Sequence, residues 1–153
     1  APAGQAAAGC MNQIDIGADA ATLRGEGAST PLQIPFGSRG FDAAARRGHD
    51  APSEREIEAA IDRIEDALTG APRHGGAALR WPGGGALGFG AAAPLPRETV
   101  EAWFEHIAAR ARGGIRQAPP GLPEGLAAAA TVLLLREVMH HLDYATLRLD
   151  EPG

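Results

Sequence analysis

Lysine is absent from this 153-residue chain, because all 14 of its basic residues are arginine. Its absence excludes a Schiff-base lysine, the lysine of a phosphate-binding P-loop and a Ser–Lys dyad. With 19 acidic residues the formal net charge is −5, which disfavours general binding to nucleic acid or to an anionic membrane. Aromatic residues make up only 5%, so a base-stacking surface is also disfavoured. We therefore expect no nucleic-acid partner and no membrane partner.

Cysteine occurs once, at Cys10, which excludes an internal disulfide and every multi-cysteine zinc or iron–sulfur site. Long apolar runs are also missing, since the strongest, residues 126–135, is about half of the roughly 18 residues that span a bilayer. The alanine, glycine, proline and arginine content is typical of a GC-rich bacterial genome. Together these features favour a bacterial protein of the cytoplasm.

Residues 1–10 end in Ala-Ala-Gly-Cys before Met11, which superficially resembles a lipoprotein cleavage site. No basic start and no apolar region precede that sequence, however. We therefore interpret residues 1–10 as a cloning remnant or a start codon assigned too early, with Met11 as the natural start.

The chain length suits one domain. Residues 1–51 have no sustained period of 2 or 3.6 and frequent glycine and proline, so we predict an irregular N-terminal arm. Short extended pieces are expected at residues 13–16 and 32–36, where the apolar side chains of Leu32, Ile34 and Phe36 alternate and should anchor the arm. Residues 52–153 are predicted to fold as a helical α+β domain.

Three helices are predicted in that domain. The first begins at Ser53, which can form a capping box with Glu56, and ends at Gly70. The second covers residues 97–112 and the third residues 126–144. Residues 77–91 predict two strands around a Pro-Gly-Gly-Gly turn, and residues 145–149 a closing strand. The predicted fold class is α+β, with three helices packed on a short antiparallel hairpin or sheet, and a mainly α domain is the alternative.

The glycine-rich turn of that hairpin also invites a phosphate-binding interpretation. Neither a lysine nor the N-terminus of a helix follows its glycines, so the hairpin turn is favoured. No serine lies in a nucleophile elbow, and no other nucleophile is identifiable.

The third helix carries the only dense set of ligand-type side chains. At 100° per residue, Glu137, His140 and His141 fall on one polar face, opposite the apolar stripe. A structural interpretation suffices, because Glu137 can pair with His141 at i, i+4 and the helix dipole favours histidines near its C-terminus. The alternative is a transition-metal site. An i, i+3 Glu/His pair completed by a carboxylate of another helix, such as Glu105, is typical of dimetal helical proteins.

The first half of the third helix is apolar on all sides, which requires burial on all sides. This favours a homodimer or a protein partner that covers the helix together with the arm. The interface residues that we predict are Leu126, Val132, Leu133, Leu134, Leu135, Leu32, Ile34 and Phe36. The predicted function is thus a non-catalytic accessory or interaction protein without a cofactor. The alternative is a metal-binding protein or metal-dependent enzyme that uses Glu137, His140, His141 and Glu105.

Overall fold

The structure is a computed structural model that describes residues 12–25, 30–84, 87–90, 94–114 and 117–149. The interpretations of residues 1–10, with Cys10, and of Met11 as the natural start lie outside these residues.

Four helices and six strands make up the described chain. The strands are β1 (Gln13–Ile16), β2 (Ala21–Arg24), β3 (Leu32–Ile34), β4 (Ala77–Arg80), β5 (Leu95–Pro96) and β6 (Tyr144–Arg148), and the helices are α1 (Asp42–Arg46), α2 (Glu54–Leu68), α3 (Arg97–Ala111) and α4 (Leu126–Leu142). The strands form one mixed sheet in the order β3-β2-β1-β4-β6-β5. In it, β1, β4 and β6 are parallel to one another, and the other pairs are antiparallel. The predicted α+β class is confirmed.

The segment predicted to be an irregular arm supplies half of this sheet. Extended structure was expected at residues 13–16 and 32–36, and β1 and β3 lie there. Ile14, Leu23 and Ile34 point into the core and are almost fully buried, as is Phe36 just after β3. The segment is therefore not irregular. Its strands are only three or four residues long, too short to show a period that can be recognised in the sequence.

The prediction of a hairpin at residues 77–91 is wrong. Among its described residues only the first strand forms, as β4, and this strand pairs in parallel with β1 on one side and β6 on the other. Because both edges of β4 are taken, the residues after it cannot fold back beside it. They turn instead, with Leu87 exposed and Phe89 packed on Trp103 in the core. The strand that closes the sheet edge is β5, which is antiparallel to β6.

The three predicted helices correspond to α2, α3 and α4. Ser53 caps α2 as expected: its side chain accepts from the Glu56 N–H, and the Glu56 carboxylate accepts from the Ser53 N–H. At the other end of the bundle, α4 stops at Asp143, which is left-handed with φ of 59°. The Arg97 guanidinium donates to the carbonyl of Met139 there and pairs with Asp143, so it satisfies the helix end.

The helices cover one face of the sheet, and α4 lies at the centre with α2 and α3 on its two sides. Val132, Leu133, Leu134 and Leu135 are fully buried by the sheet and by these two helices, while Leu126 is half-buried at the N-terminus of α4. Covering the apolar helix therefore requires no second subunit, which removes the argument for a dimer that was based on its burial. None of the described helices combines the length and the apolar composition needed to cross a membrane.

Candidate functional site

The strand order places β1 and β4 side by side and parallel, although β2, β3 and two helices separate them in the chain. On one side of β1 lie β2 and then β3. The chain then returns to the other side of β1, where β4, β6 and β5 follow in that order. In open sheets of this kind, ligands bind beyond the carboxyl ends of the strands at such a switch point. Residues 17–20 follow β1 and residues 81–84 follow β4. Both turns therefore lie at the same edge, which we call the carboxyl edge.

The turn after β1 is fixed by the loop that follows β3. The N–H groups of Ser38 and Arg39 donate to the carbonyls of Gly17 and Ala18, each at 2.9 Å. Gly37 makes this approach possible, because a Cβ at that position would lie 2.3 Å from the Gly17 oxygen. The carbonyls of Gly17 and Ala18 are thus occupied, and the backbone orientation of the turn is set.

Three amides of these turns are open to solvent. Within the described chain, the N–H groups of Ala18, Asp19 and Gly83 have no hydrogen-bond acceptor, and all three residues are exposed. Gly84 fixes the second turn, since a Cβ there would lie 2.5 Å from a methyl group of Leu149. Successive free N–H groups in a turn form a concavity that attracts anions, phosphate among them.

Charged side chains flank the carboxyl edge. Asp15 points away from the helices and pairs with Arg24 at 3.0 Å. The Nε of Arg39 donates to Asp42 at 2.7 Å, and this hydrogen bond, with the charges of Asp42 and Asp19, raises the pKa of the Arg39 guanidinium. The exposed Arg39 guanidinium, which acts on Asp42 and Asp19, could bind a phosphate, and the carboxylates of Asp15 and Asp19 are of the type that could hold a divalent cation.

The sequence reasoning missed this site. The available signal was a short alternating pair, Ile14 and Ile16, followed by Gly17 and an acidic residue at the turn. Its importance depends on β4 lying next to β1, and that pairing joins residues more than 60 positions apart.

The residues predicted as metal ligands lie elsewhere, between α2 and α4. Glu137 was expected on a polar face, but its side chain is only 1% exposed, and its Oε2 accepts from Arg136 at 2.6 Å. His141 Nε2 lies 3.2 Å from Glu137 Oε1 and 3.0 Å from Glu65 Oε2. The structure therefore brings Glu137 and His141 together and adds Glu65, which the sequence reasoning did not select.

His140 and Glu105, the other two predicted ligands, are exposed. The ligand group found among the described residues includes neither of them. The helical wheel misplaced Glu137 because α2 packs over part of the face that an isolated helix would leave in water.

Neither a known family of protein sequences nor a curated protein matches this chain. Its fold, in contrast, is similar to those of solved phosphatase structures. The type II variant of the Aquifex aeolicus Ppx/GppA phosphatase aligns with a TM-score of 0.60 and 14% identity, over 95% of this chain and 54% of that one. The Aquifex aeolicus member of the Ppx/GppA family gives 0.59 and 12%, over 94% and 52%. An exopolyphosphatase-like protein gives 0.57 and 14%, over 94% and 55%.

At these identities the similarity shows the fold alone, and the chain spans about half the length of the structures that it matches. The prediction of a non-catalytic accessory or interaction protein is nevertheless wrong on this finding. The solved structures named here, which share the fold over almost the whole chain, include an enzyme and a phosphatase rather than accessory proteins.

Proposed function

We propose that this chain forms one half of a phosphatase, which binds the phosphate groups of its substrate at the carboxyl edge between β1 and β4. The observation that carries the proposal is the similarity of fold to the Ppx/GppA structures over at least 94% of the chain. The position of the two open turns at the switch point of the sheet supports the same edge as the binding site.

The chemistry would be hydrolysis of a phosphoanhydride or phosphate ester. A water oxygen attacks phosphorus, the bond to the bridging oxygen breaks, and the leaving oxygen takes a proton as inorganic phosphate is released. Negative charge on the transferred group is spread over its non-bridging oxygens in the transition state. The free N–H groups of Ala18, Asp19 and Gly83 are suited to donate to those oxygens. A Mg²⁺ ion that accompanies phosphates is usually held by one or two carboxylates, and the exposed Asp15 and Asp19 would be the candidates for that role.

The remaining wall of the site would come from a second body. Because the chain spans about half the length of the structures it resembles, we propose that a second copy of this chain or a partner domain faces the carboxyl edge. A cytoplasmic location is part of the proposal, and the single cysteine, which allows no internal disulfide, supports it.

Binding can be tested on this chain alone by ¹H–¹⁵N NMR titration with tripolyphosphate and Mg²⁺. We expect saturable shifts that are largest at the amides of Ala18, Asp19 and Gly83. Shifts that are largest at the C-terminal ends of α2 and α4, or no saturable shift at all, would contradict the proposed edge.

Turnover is tested by phosphate release from inorganic polyphosphate. Asp15→Asn combined with Asp19→Asn should lower the Mg²⁺-dependent rate at least about tenfold, if these carboxylates hold the cation. Asp62→Asn is the matched control, since Asp62 is an exposed carboxylate on α2, far along the chain from either turn. An equal loss in the control, or no loss in the double variant, would contradict the assigned roles.

A further inference from the structure

A second candidate site lies at the opposite end of the domain, where Glu65 of α2 meets Glu137 and His141 of α4. We call it the Glu65–Glu137–His141 cluster. Its residues lie in the C-terminal parts of α2 and α4, the helices that precede β4 and β6 in the chain. The loop between α2 and β4 closes over this end, because the His74 N–H donates to the Leu142 carbonyl at 2.7 Å. The cluster therefore lies at the amino ends of the parallel strands, away from the carboxyl edge.

The ligand atoms of the cluster lie close enough together to share one metal ion. One atom from each residue lies within 4.8 Å of the others, and the two His141 contacts are 3.0 Å and 3.2 Å. Bonds of about 2.0–2.2 Å to a tetrahedral Zn²⁺ place neighbouring ligand atoms about 3.3–3.6 Å apart. An ion would thus need the two His141 contacts to open by only a few tenths of an ångström.

Glu137 supplies the observation that points to a ligand. Its side chain is 1% exposed, and its Oε1 is fully buried without a hydrogen-bond partner. His141 Nε2 is close to this oxygen, at 3.2 Å, but outside hydrogen-bond geometry. A buried carboxylate oxygen that accepts no hydrogen bond is costly and uncommon. It faces Glu65 and His141, in the position that a metal ligand would take.

The local charge also favours a cation. Arg136, which binds Oε2 of Glu137, is shared with Glu101. Arg73 reaches only the main-chain carbonyl of His141, at 3.4 Å. The carboxylates of Glu65, Glu137 and Glu101 outnumber the one described guanidinium that contacts them, that of Arg136. A divalent ion would restore the balance.

We propose that the Glu65–Glu137–His141 cluster binds a first-row divalent metal ion, for which Zn²⁺ is the probe. Glu137 would offer Oε1 while Arg136 holds its other oxygen and so orients the carboxylate. Glu65 and His141 are 42% and 36% exposed, which leaves a path for the ion and a position for a water as fourth ligand. One imidazole among carboxylates suits zinc better than magnesium, which prefers oxygen ligands in octahedral geometry.

The test is equilibrium dialysis of the full chain against Zn²⁺, with metal quantified by elemental analysis. The wild type should retain about one Zn²⁺ per chain, and Mg²⁺ should not compete. His141→Asn and Glu65→Gln should each weaken binding by at least about tenfold. His140→Asn is the matched control, because it removes the neighbouring exposed histidine, and it should bind as the wild type does.

A wild type that retains no Zn²⁺, or a His140→Asn loss as large as that of His141→Asn, would overturn the proposal. Thermal melts of the wild type test the proposal even if a variant folds poorly. Zn²⁺, but not Mg²⁺, should raise the melting temperature of the wild type. Failure here leaves the proposed phosphatase role untouched, since tripolyphosphate binding at the carboxyl edge is measured separately.

Discussion

Replacing Arg136 with alanine should destabilise the domain by about 3–4 kcal/mol, because it leaves the buried Glu137 carboxylate without its cation. The Arg136 guanidinium donates to Glu137 Oε2 at 2.6 Å and is itself 24% exposed. Removing one partner of a buried ion pair costs about 3–5 kcal/mol. The lower end of that range applies here, since water can enter the space that the guanidinium leaves.

The other contacts of Arg136 add less. Its Nε donates to the partly exposed Glu101 at 2.8 Å, a pair worth up to about 1 kcal/mol. The guanidinium also lies over the Phe104 ring, 4.6 Å from its centroid, which adds about 0.5–1 kcal/mol. Burial lowers the pKa of Arg136, but the hydrogen bonds to Glu101 and Glu137 outweigh it and raise the pKa overall. The side chain is therefore a permanent cation.

Urea denaturation followed by circular dichroism, with a chelator present, measures this loss of unfolding free energy. Arg110→Ala is the matched control, because its ion pair with Asp50 is exposed and should be worth less than about 1 kcal/mol. Adding Glu137→Gln to the Arg136→Ala variant should recover part of the loss, since the buried charge is then gone. The reasoning is refuted if Arg136→Ala costs no more than Arg110→Ala.

Three further predictions concern single sites. Gly37→Ala should lower the free energy of unfolding by about 1–3 kcal/mol in the same urea assay, since its Cβ would lie 2.3 Å from the Gly17 oxygen. Gly90→Ala is the control and should change it little, since a Cβ there would meet no atom within 4 Å. Leu134→Ala should cost about 3–5 kcal/mol by leaving a cavity in the core, and a loss below that of Gly37→Ala would contradict this. Burial raises the pKa of the Glu56 carboxyl. Hydrogen bonds from Ser53 and Arg47 outweigh this effect and hold the pKa below its ordinary value of 4.5. Thermal melts should therefore show the wild type more stable than Glu56→Gln above pH 4.5, with the advantage lost as the pH falls through the lowered pKa.

Features that depend on a few neighbouring residues were predictable from the sequence. The capping box of Ser53 and Glu56 located the start of α2, and the glycine at position 70 indicated its end. The apolar periods of α3 and α4 located those helices to within two residues at either end. Each signal acts within one or two helical turns, so no knowledge of the rest of the fold was needed.

Features that depend on strand pairing were not predictable. The sequence around β4 has the turn residues of a hairpin, yet the strand pairs with β1 and β6, which are contributed by distant parts of the chain. Because β1 pairs with β4, the segment expected to be an arm is part of the sheet, and the two open turns lie at the carboxyl edge. A single sequence carries little information about such contacts, because a three- or four-residue strand has the same local preferences whichever neighbour it joins.

Composition and local pattern thus determined the absence of lysine chemistry and of an internal disulfide, the α+β class, and the places where the long helices begin and end. Only the tertiary structure decided that one chain buries the apolar residues 128–135 of α4, that Glu137 is inside and lies close to Glu65, and that residues 17–20 and 81–84 share the carboxyl edge. The physical reason is that helix signals arise within a turn of chain, whereas burial and site geometry depend on which surfaces pack together after the chain has crossed the sheet.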